Sequence, residues 1–317
     1  MAFVKRFLYL IVPLSVGLYF VREYFQGCKY TGNERLDDKV VLITGANTGI
    51  GKETAKNMAL RGARVYMACR NLNKANAARD DLLNITGLPA DKIKVMQMDL
   101  SSFRSIRNFV TEFHKVEEKL HILINNAGIM FTPFLKTEDG FEMQVGVNHL
   151  GHFLLTNLLI DKLKTSAPSR VVTVSSLAHM SGTVEFDNFR GEKGYSRINS
   201  YGNSKLMNIL FAKELGRRLE GTGVTSYSLH PGGIVTDLQR EVLNPFFVKV
   251  VHVLGYVFWK TIERGAQTTI YCAVNDNAGK ETGLYYSDCA VKTPFGVDSE
   301  TAKKLWEVSL SLTGLKQ

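Results

Sequence analysis

Tyr201 and Lys205, four residues apart in Ser200-Tyr201-Gly202-Asn203-Ser204-Lys205, are the side chains of this sequence best suited to move a proton. On a helix that spacing puts both on one face, one turn apart. An ammonium favours a neighbouring phenolate and so lowers the phenol's pKa. A tyrosine tuned toward neutral pH can act as general acid or base. Plain solvated helix faces show the same pattern, so the pair carries meaning only if the chain brings a reactant to it. Gly45-Ala46-Asn47-Thr48-Gly49-Ile50-Gly51 is the stretch that could do so. It follows the apolar run Lys39-Val40-Val41-Leu42-Ile43-Thr44 and opens a helical stretch to Arg61. Strand, glycine turn and helix are the setting of a dinucleotide fingerprint. The glycines allow a tight turn, close approach of backbone to the pyrophosphate, and close helix–strand packing. The pyrophosphate then meets the free N–H groups and the dipole of the helix N-terminus. The spacing, G-x-x-x-G-x-G, is a variant of that fingerprint. A P-loop reading fails, because Ala46 stands where its first glycine belongs and Glu53 where its magnesium-binding hydroxyl belongs.

The elements that must position these groups alternate along the chain. Strand-like runs at Ala63–Cys69, Ile93–Met98, His121–Ile124, Arg170–Val174 and Val224–Leu229 are interspersed with helical stretches at 102–118 and 141–164. Glu281–Ser287 reads as a last strand and the tail from Thr301 as a short helix. This alternation predicts an α/β, Rossmann-type doubly wound parallel sheet of about seven strands with helices on both faces. The strands end in Asp99-Leu100, in Asn125-Asn126-Ala127-Gly128 and in Ser175-Ser176. Each could be simple turn chemistry, but together they lie at the carboxyl edge of one sheet, where ligands bind. After the second strand, Arg70 occupies the position of the acidic residue that would hold a ribose 2′-hydroxyl, with Asn71 and Lys74 beside it. A guanidinium suits a 2′-phosphate, which favours NADP(H) over NAD.

The set Thr44-Gly45-x-x-x-Gly49-x-Gly51, Asn125-Asn126-Ala127-Gly128, Asn148, Ser176, Tyr201-x-x-x-Lys205 and Pro231-Gly232 resembles the short-chain dehydrogenases/reductases from about Asp37 to the end of the chain. More narrowly it is similar to the membrane-anchored, NADP-dependent retinol dehydrogenases. That likeness rests on an N-terminal apolar segment, Ala68-Cys69-Arg70-Asn71, Val147-Asn148-His149-Leu150-Gly151-His152-Phe153 and a long gap between Ser176 and Tyr201. The gap implies an extra loop, Gly182 to Arg197, overhanging the site. The resemblance implies catalytic roles for Tyr201, Lys205, Ser176 and Asn148. Tyr201 exchanges a proton with the substrate oxygen, Lys205 lowers its pKa and bonds the nicotinamide ribose, Ser176 orients the substrate oxygen, and Asn148 holds a water linking Lys205 to solvent. Ser175 cannot share the role of Ser176, because adjacent strand residues point to opposite faces. Cofactor contacts are implied for Gly45, Asn47, Thr48, Gly49, Ile50, Gly51 and Arg70. They are also implied for Asp99 and Leu100 at the adenine, for Asn126, Ala127 and Gly128, for Tyr201 and Lys205, and for Pro231, Gly232 and Thr236 at the carboxamide. A small apolar substrate, retinol or retinal first, is implied, with other lipid aldehydes or steroids and a non-catalytic NADP-binding scaffold as alternatives. A homodimer is left open.

The wider composition bounds these readings. The 317 residues are 45% hydrophobic and carry a net charge of +9, which is spread along the chain and accompanied by no nucleic-acid motif. Cys28, Cys69, Cys272 and Cys289 lack CxxC or metal-ligand spacing and read as reduced thiols in a domain facing a reducing compartment. His149 and His152 have no further ligand run, so no metal is expected. Phe7 to Val21 carries no charge, with Lys5-Arg6 before it and Arg22 after. It is short against the roughly 20 residues of a membrane span, but Tyr9, Tyr19 and Tyr24 suit an interfacial belt. A secretory signal would need a small-residue cleavage site that Tyr24-Phe25-Gln26-Gly27-Cys28 does not supply. Residues 1–25 therefore read as an anchor to membrane lipid, 26–36 as a linker and 37–317 as the catalytic domain. The endoplasmic reticulum with the domain facing the cytosol is implied by the resemblance, mitochondrial membranes being the alternative. The sequon Asn84-Ile85-Thr86 is usable only in a secretory lumen. Leu238 to Lys260 should shape the substrate pocket, and its apolar core Phe246–Trp259 reads as core helix, membrane-dipping helix or pocket wall.

Overall fold

The computed structural model describes residues 16–234, 255 and 258–316. Its sheet has eight strands in the order β3-β2-β1-β4-β5-β6-β7-β8. They are β1 Val40–Thr44, β2 Arg64–Cys69, β3 Ile93–Gln97, β4 Ile122–Asn125, β5 Ser169–Val174, β6 Val224–Leu229, β7 Leu284–Ser287 and β8 Ala290–Lys292. β1 to β7 run parallel and β8 returns antiparallel to β7. The sheet thus exceeds the expected seven strands by one. Every residue of β8 is exposed, so no burial pattern marked it.

Helices cover both faces: α1 Gly49–Leu60, α2 Leu72–Thr86, α3 Phe103–Val116, α4 Gly151–Thr165, α5 Arg197–Arg218, α6 Ile262–Val274 and α7 Ser299–Thr313. β1 shows why both faces must be covered. All five of its residues are buried, and successive side chains point opposite ways. Val41 and Ile43 join the core shared with α1, α2 and α6. Val40 and Leu42 join the one shared with α3, α4, α5 and α7, where Phe211 stacks on Trp306 and Phe153 meets Trp306 edge-on. Helix ends follow local chemistry. Asn71, Ser102, Ser196, Thr261 and Asp298 each accept a backbone N–H at a helix start, while Gly87 and Gly314 take the left-handed conformation at helix ends.

The chain passes from β1 outward to β2 and β3, then crosses back to β4 on the other side of β1. This reversal opens a crevice at the carboxyl ends of β1 and β4. α4 is preceded by one helical turn, Met143–Val145, and a π-helical turn, Gly146–Leu150. Such turns gather at functional sites.

Residues 16–26 are helical, and Val16, Leu18, Tyr19 and Phe20 are exposed. Among the described residues no helix is long and apolar enough to cross a membrane. Most of the expected anchor, residues 1–15, lies outside the described residues, as does most of Leu238–Lys260. Residues 26–36 pack on the domain. Gln26 bonds the backbone of Trp259 and Thr261, the Tyr30 N–H donates to Gln267, and Leu36 is buried. This docking brings Cys28 to the β7–β8 turn, where it forms a disulfide with Cys289. The expectation of four reduced thiols therefore fails for this pair. Cys69 and Cys272 are free and buried. A separation of 261 residues gave no hint of the proximity.

Candidate active site

At one end of the crevice the glycine turn is shaped by close approach. Gly45 and Gly49 have φ of 65° and 56°, a region costly for other residues. A Cβ on Gly45 would lie 2.9 Å from the Ala127 Cα, and one on Gly51 2.5 Å from Asn126 Nδ2 and from the Gly45 carbonyl. α1 then begins with no acidic residue in its first turn and no side-chain cap from Thr48. The arrangement fits a pyrophosphate lying against its N-terminus. Gly45, Asn47, Thr48, Gly49, Ile50 and Gly51 line a cleft of about 370 Å³, facing Asn126, Ala127 and Gly128. Pro231, Gly232, Ile234 and Trp259 form its far wall.

Asn126 holds the two sides of the crevice together. Its Nδ2 donates to the carbonyls of Thr44 (2.8 Å) and Gly45 (3.3 Å). Three sequence-predicted contacts lie outside this cleft. Arg70 is exposed at the carboxyl end of β2 and forms no ion pair among the described residues. Asp99, at the end of β3, accepts from Ser101 N (2.9 Å) and Oγ (2.7 Å) and shapes its own turn. Leu100 is 6% exposed in the core, where a Cβ on Gly151 would sit 3.2 Å from its side chain. Thr236 lies outside the described residues.

α5 carries the proton-transfer candidates into the middle of the cleft. Fifteen of its 22 residues are buried, so Tyr201 and Lys205 do not sit on a solvated face. Gly202 explains part of this. A Cβ there would lie 2.9 Å from the Ala178 carbonyl and 3.0 Å from Ser181 Oγ, so α5 can press against the turn Leu177–Ser181 that follows Ser176. Tyr201 packs edge-on against Phe131, with ring centroids 5.4 Å apart. Ser176 Oγ accepts from Ala178 N–H and lines the same cleft as Tyr201. Ser175, also in the cleft lining, commits its hydroxyl to the Lys205 carbonyl at 2.6 Å.

Burial pushes the Tyr201 phenol up, and the nearby Ser176 hydroxyl pulls it partly down. Lys205 lies 5.7 Å from the Tyr201 ring centroid and donates from Nζ to the Val174 carbonyl at 3.1 Å. Burial drops its own pKa to about 8. Desolvation is the largest influence on both groups.

Asn148 lies in the π-helical turn, fully buried. Its Oδ1 accepts from Ile129 N (2.9 Å), and its Nδ2 donates to Ile129 O (3.0 Å) and Ser204 Oγ (2.9 Å). A Cβ on Gly128 would meet Lys205 Nζ at 3.3 Å and Asn148 Oδ1 at 3.4 Å, which places these two beside the same glycine. His230, which sequence reasoning passed over, accepts from Gly232 N–H at 3.0 Å and folds the Pro231-Gly232 turn. Burial holds its pKa down to about 4, so it serves as a neutral acceptor. The loop from Gly182 to Arg197 closes over neighbouring structure through Thr183 N on Asn203 Oδ1 (2.8 Å) and the Tyr195 hydroxyl on Thr132 O (2.6 Å). Among the described residues no cluster of His, Cys, Asp and Glu could hold a metal.

The arrangement joins a nucleotide cradle to a tyrosine–serine pair in one cleft. The sequence profile of the short chain dehydrogenase family matches residues 39–245. Retinol dehydrogenase 11 of Mus musculus is 47% identical over 310 residues, 97% of this chain and 95% of that protein. Retinol dehydrogenase 12 of Homo sapiens is 46% identical, covering 98% of this chain and 95% of that protein. Among solved structures, an uncharacterised protein from Mycobacterium paratuberculosis superposes with a TM-score of 0.70 at 34% identity, covering 89% of this chain and 96% of its own.

Proposed function

The chain belongs to the short-chain dehydrogenase family of oxidoreductases, whose fold takes a nicotinamide dinucleotide, and from that premise we propose that it is an NADP(H)-dependent enzyme interconverting retinol and retinal. The observation that carries the proposal is the convergence of Tyr201, Ser176, Lys205 and the Gly45–Gly51 turn on one cleft. Arg70 supports NADP(H): it stands exposed at the end of β2, next to the strand that leads into the glycine turn. The likeness to retinol dehydrogenases 11 and 12 supports the retinoid.

NADPH, when bound, supplies the hydride. Tyr201 delivers a proton to the carbonyl oxygen in reduction and withdraws it from the alcohol in oxidation. The Ser176 hydroxyl, beside Tyr201 in the cleft lining, orients that oxygen and stabilises the charge it gains. Lys205 supplies a buried cation at the ribose side, and Asn148 holds Ile129 and Ser204 around it. Residues 1–25 are proposed to anchor the 37–317 domain in the endoplasmic reticulum membrane, cytosol-facing, where an apolar substrate partitions.

Following NADPH absorbance with all-trans-retinal and with nonanal tests this. Retinal should be reduced with NADPH in preference to NADH. Tyr201→Phe should abolish turnover and leave NADPH affinity within about twofold, since one hydroxyl away from the pyrophosphate is lost. Dinucleotide binding without reduction of either aldehyde would overturn the catalytic reading in favour of a binding scaffold.

A further inference from the structure

His152 sits in the first turn of α4, 1% exposed. Both of its ring nitrogens are engaged, and their partners fix its proton. Thr44 Oγ1 accepts N–H donors from Asn126 and Ala127, each at 2.9 Å. A hydroxyl has two lone pairs and one proton, so its proton remains for the third neighbour, His152 Nε2, 2.8 Å away. Nε2 is therefore the acceptor. Burial holds the imidazole neutral, with a pKa near 4, so its single N–H is at Nδ1. That nitrogen faces the Asn148 carbonyl at 3.0 Å and donates to it.

The two ends of this relay lie in different parts of the cleft. Thr44 closes β1 and, through Asn126 and Ala127, holds the wall facing the glycine turn. Asn148 reaches Ser204, the residue before Lys205, and Ile129, just beyond Gly128. His149, one turn away, does otherwise: its Nε2 bonds Ser309 Oγ on α7 at 2.9 Å and its Nδ1 has no partner. Only the second histidine of the pair connects the two halves of the site.

We infer that His152 is a positioning residue that locks the cofactor cradle at Thr44 to the Asn148–Ser204–Lys205 side of the proton-transfer helix. The role rests on the proposed dinucleotide-dependent reaction. Its two bonds serve different steps, so they can be separated. In His152→Asn the amide falls near the position of Nδ1, keeps the donor to Asn148 and releases Thr44. In His152→Gln the longer amide reaches Thr44 and releases Asn148.

The experiment measures NADPH affinity by fluorescence and kcat for all-trans-retinal with the full-length protein in detergent, at a temperature where thermal melts show every variant folded. His152→Asn should raise the NADPH Kd about 3- to 10-fold, the worth of a net hydrogen bond, with kcat little changed. His152→Gln should lower kcat by a similar factor with Kd little changed. Thr44→Val should reproduce the Kd effect, Thr44→Ser should not, and Thr44→Val combined with His152→Asn should be no worse than either alone. A purely structural histidine would instead move both parameters together in both variants, in step with Tm. That result overturns the inference, as do wild-type Kd and kcat in both variants. A wild-type protein that bound no NADPH would overturn the functional reading and this one with it. Wild-type binding and turnover with indifferent variants would overturn this one alone.

Discussion

Replacing Lys205 by Met should stop turnover and, at neutral pH, make the fold more stable. Lys205 is 3% exposed, and burial lowers its pKa from 10.5 to about 8. At 1.36 kcal/mol per tenfold change in proton affinity, the charged lysine weighs about 3 kcal/mol against the folded state. The direction follows from proton counts. The unfolded chain keeps this proton up to pH 10.5 and the folded one only to about 8. Wild-type stability therefore rises with pH between those values, and the full penalty is felt below 8. Met removes the penalty together with one hydrogen bond, to the Val174 carbonyl. That carbonyl keeps a second donor, Asn208 Nδ2 at 3.2 Å, so nothing is left unsatisfied and the loss is about 1 kcal/mol. The balance is a gain of about 2 kcal/mol at pH 7 that passes through zero at about pH 10 and turns into a loss of about 1 kcal/mol above pH 10.5, where only the lost hydrogen bond remains. Urea unfolding followed by tryptophan fluorescence at pH 7 and pH 10 measures both points. A Met variant less stable than wild type at pH 7, or a difference independent of pH, would refute the argument.

Arg70→Asp should weaken NADPH about 10- to 100-fold, the worth of a charge-assisted contact to phosphate, and weaken NADH much less; titrations with both dinucleotides check it, and equal effects would remove the assigned role. Gly202→Ala forces a Cβ to within 2.9 Å of the Ala178 carbonyl, so thermal unfolding should show a loss of about 1–3 kcal/mol, with kcat falling as the turn carrying Ser176 is displaced; an unchanged Tm and kcat would show that the contact is slack. The Cys28–Cys289 disulfide should protect two of the four cysteines from maleimide added without reductant to denatured membranes, and with the domain facing the cytosol endoglycosidase should leave the mass unchanged although Asn84 is exposed. Four labelled cysteines would show the pair to be reduced, and a glycan would place the domain in the lumen instead.

What the sequence made legible is what local chemistry decides. β1 falls at Val40–Thr44, as its apolar run predicts. The glycines of the cofactor turn are required by approaches that any strand–turn–helix of this kind must make. The features that escaped are decided by distant neighbours. Leu100 faces the core because Gly151 leaves room for it, and nothing at Asp99-Leu100 itself signals this. The Cys28–Cys289 pair depends on how residues 26–36 dock. The depth at which Tyr201 and Lys205 sit is not encoded in a four-residue spacing. His152 looked like half of an unfinished metal motif, and only the position of Thr44 distinguishes it from His149.

Lys260 is a junction of three segments. Its side chain, 8% exposed, fills the space where a Cβ of Gly27 or of Gly232 would fall, and it pairs with Asp288 in the β7–β8 turn. Around it Glu23 is held by Arg264 at 2.7 Å, and the Phe25 ring lies against Phe258. An anchor ahead of these residues would grip the domain as a stiff mount and not as a swivelling leash. The domain could then not tumble freely above a bilayer: its cleft would keep a set tilt toward the lipid. A pull along the N-terminal segment would arrive at Gly232, on the cofactor turn, through a single amino-acid side chain.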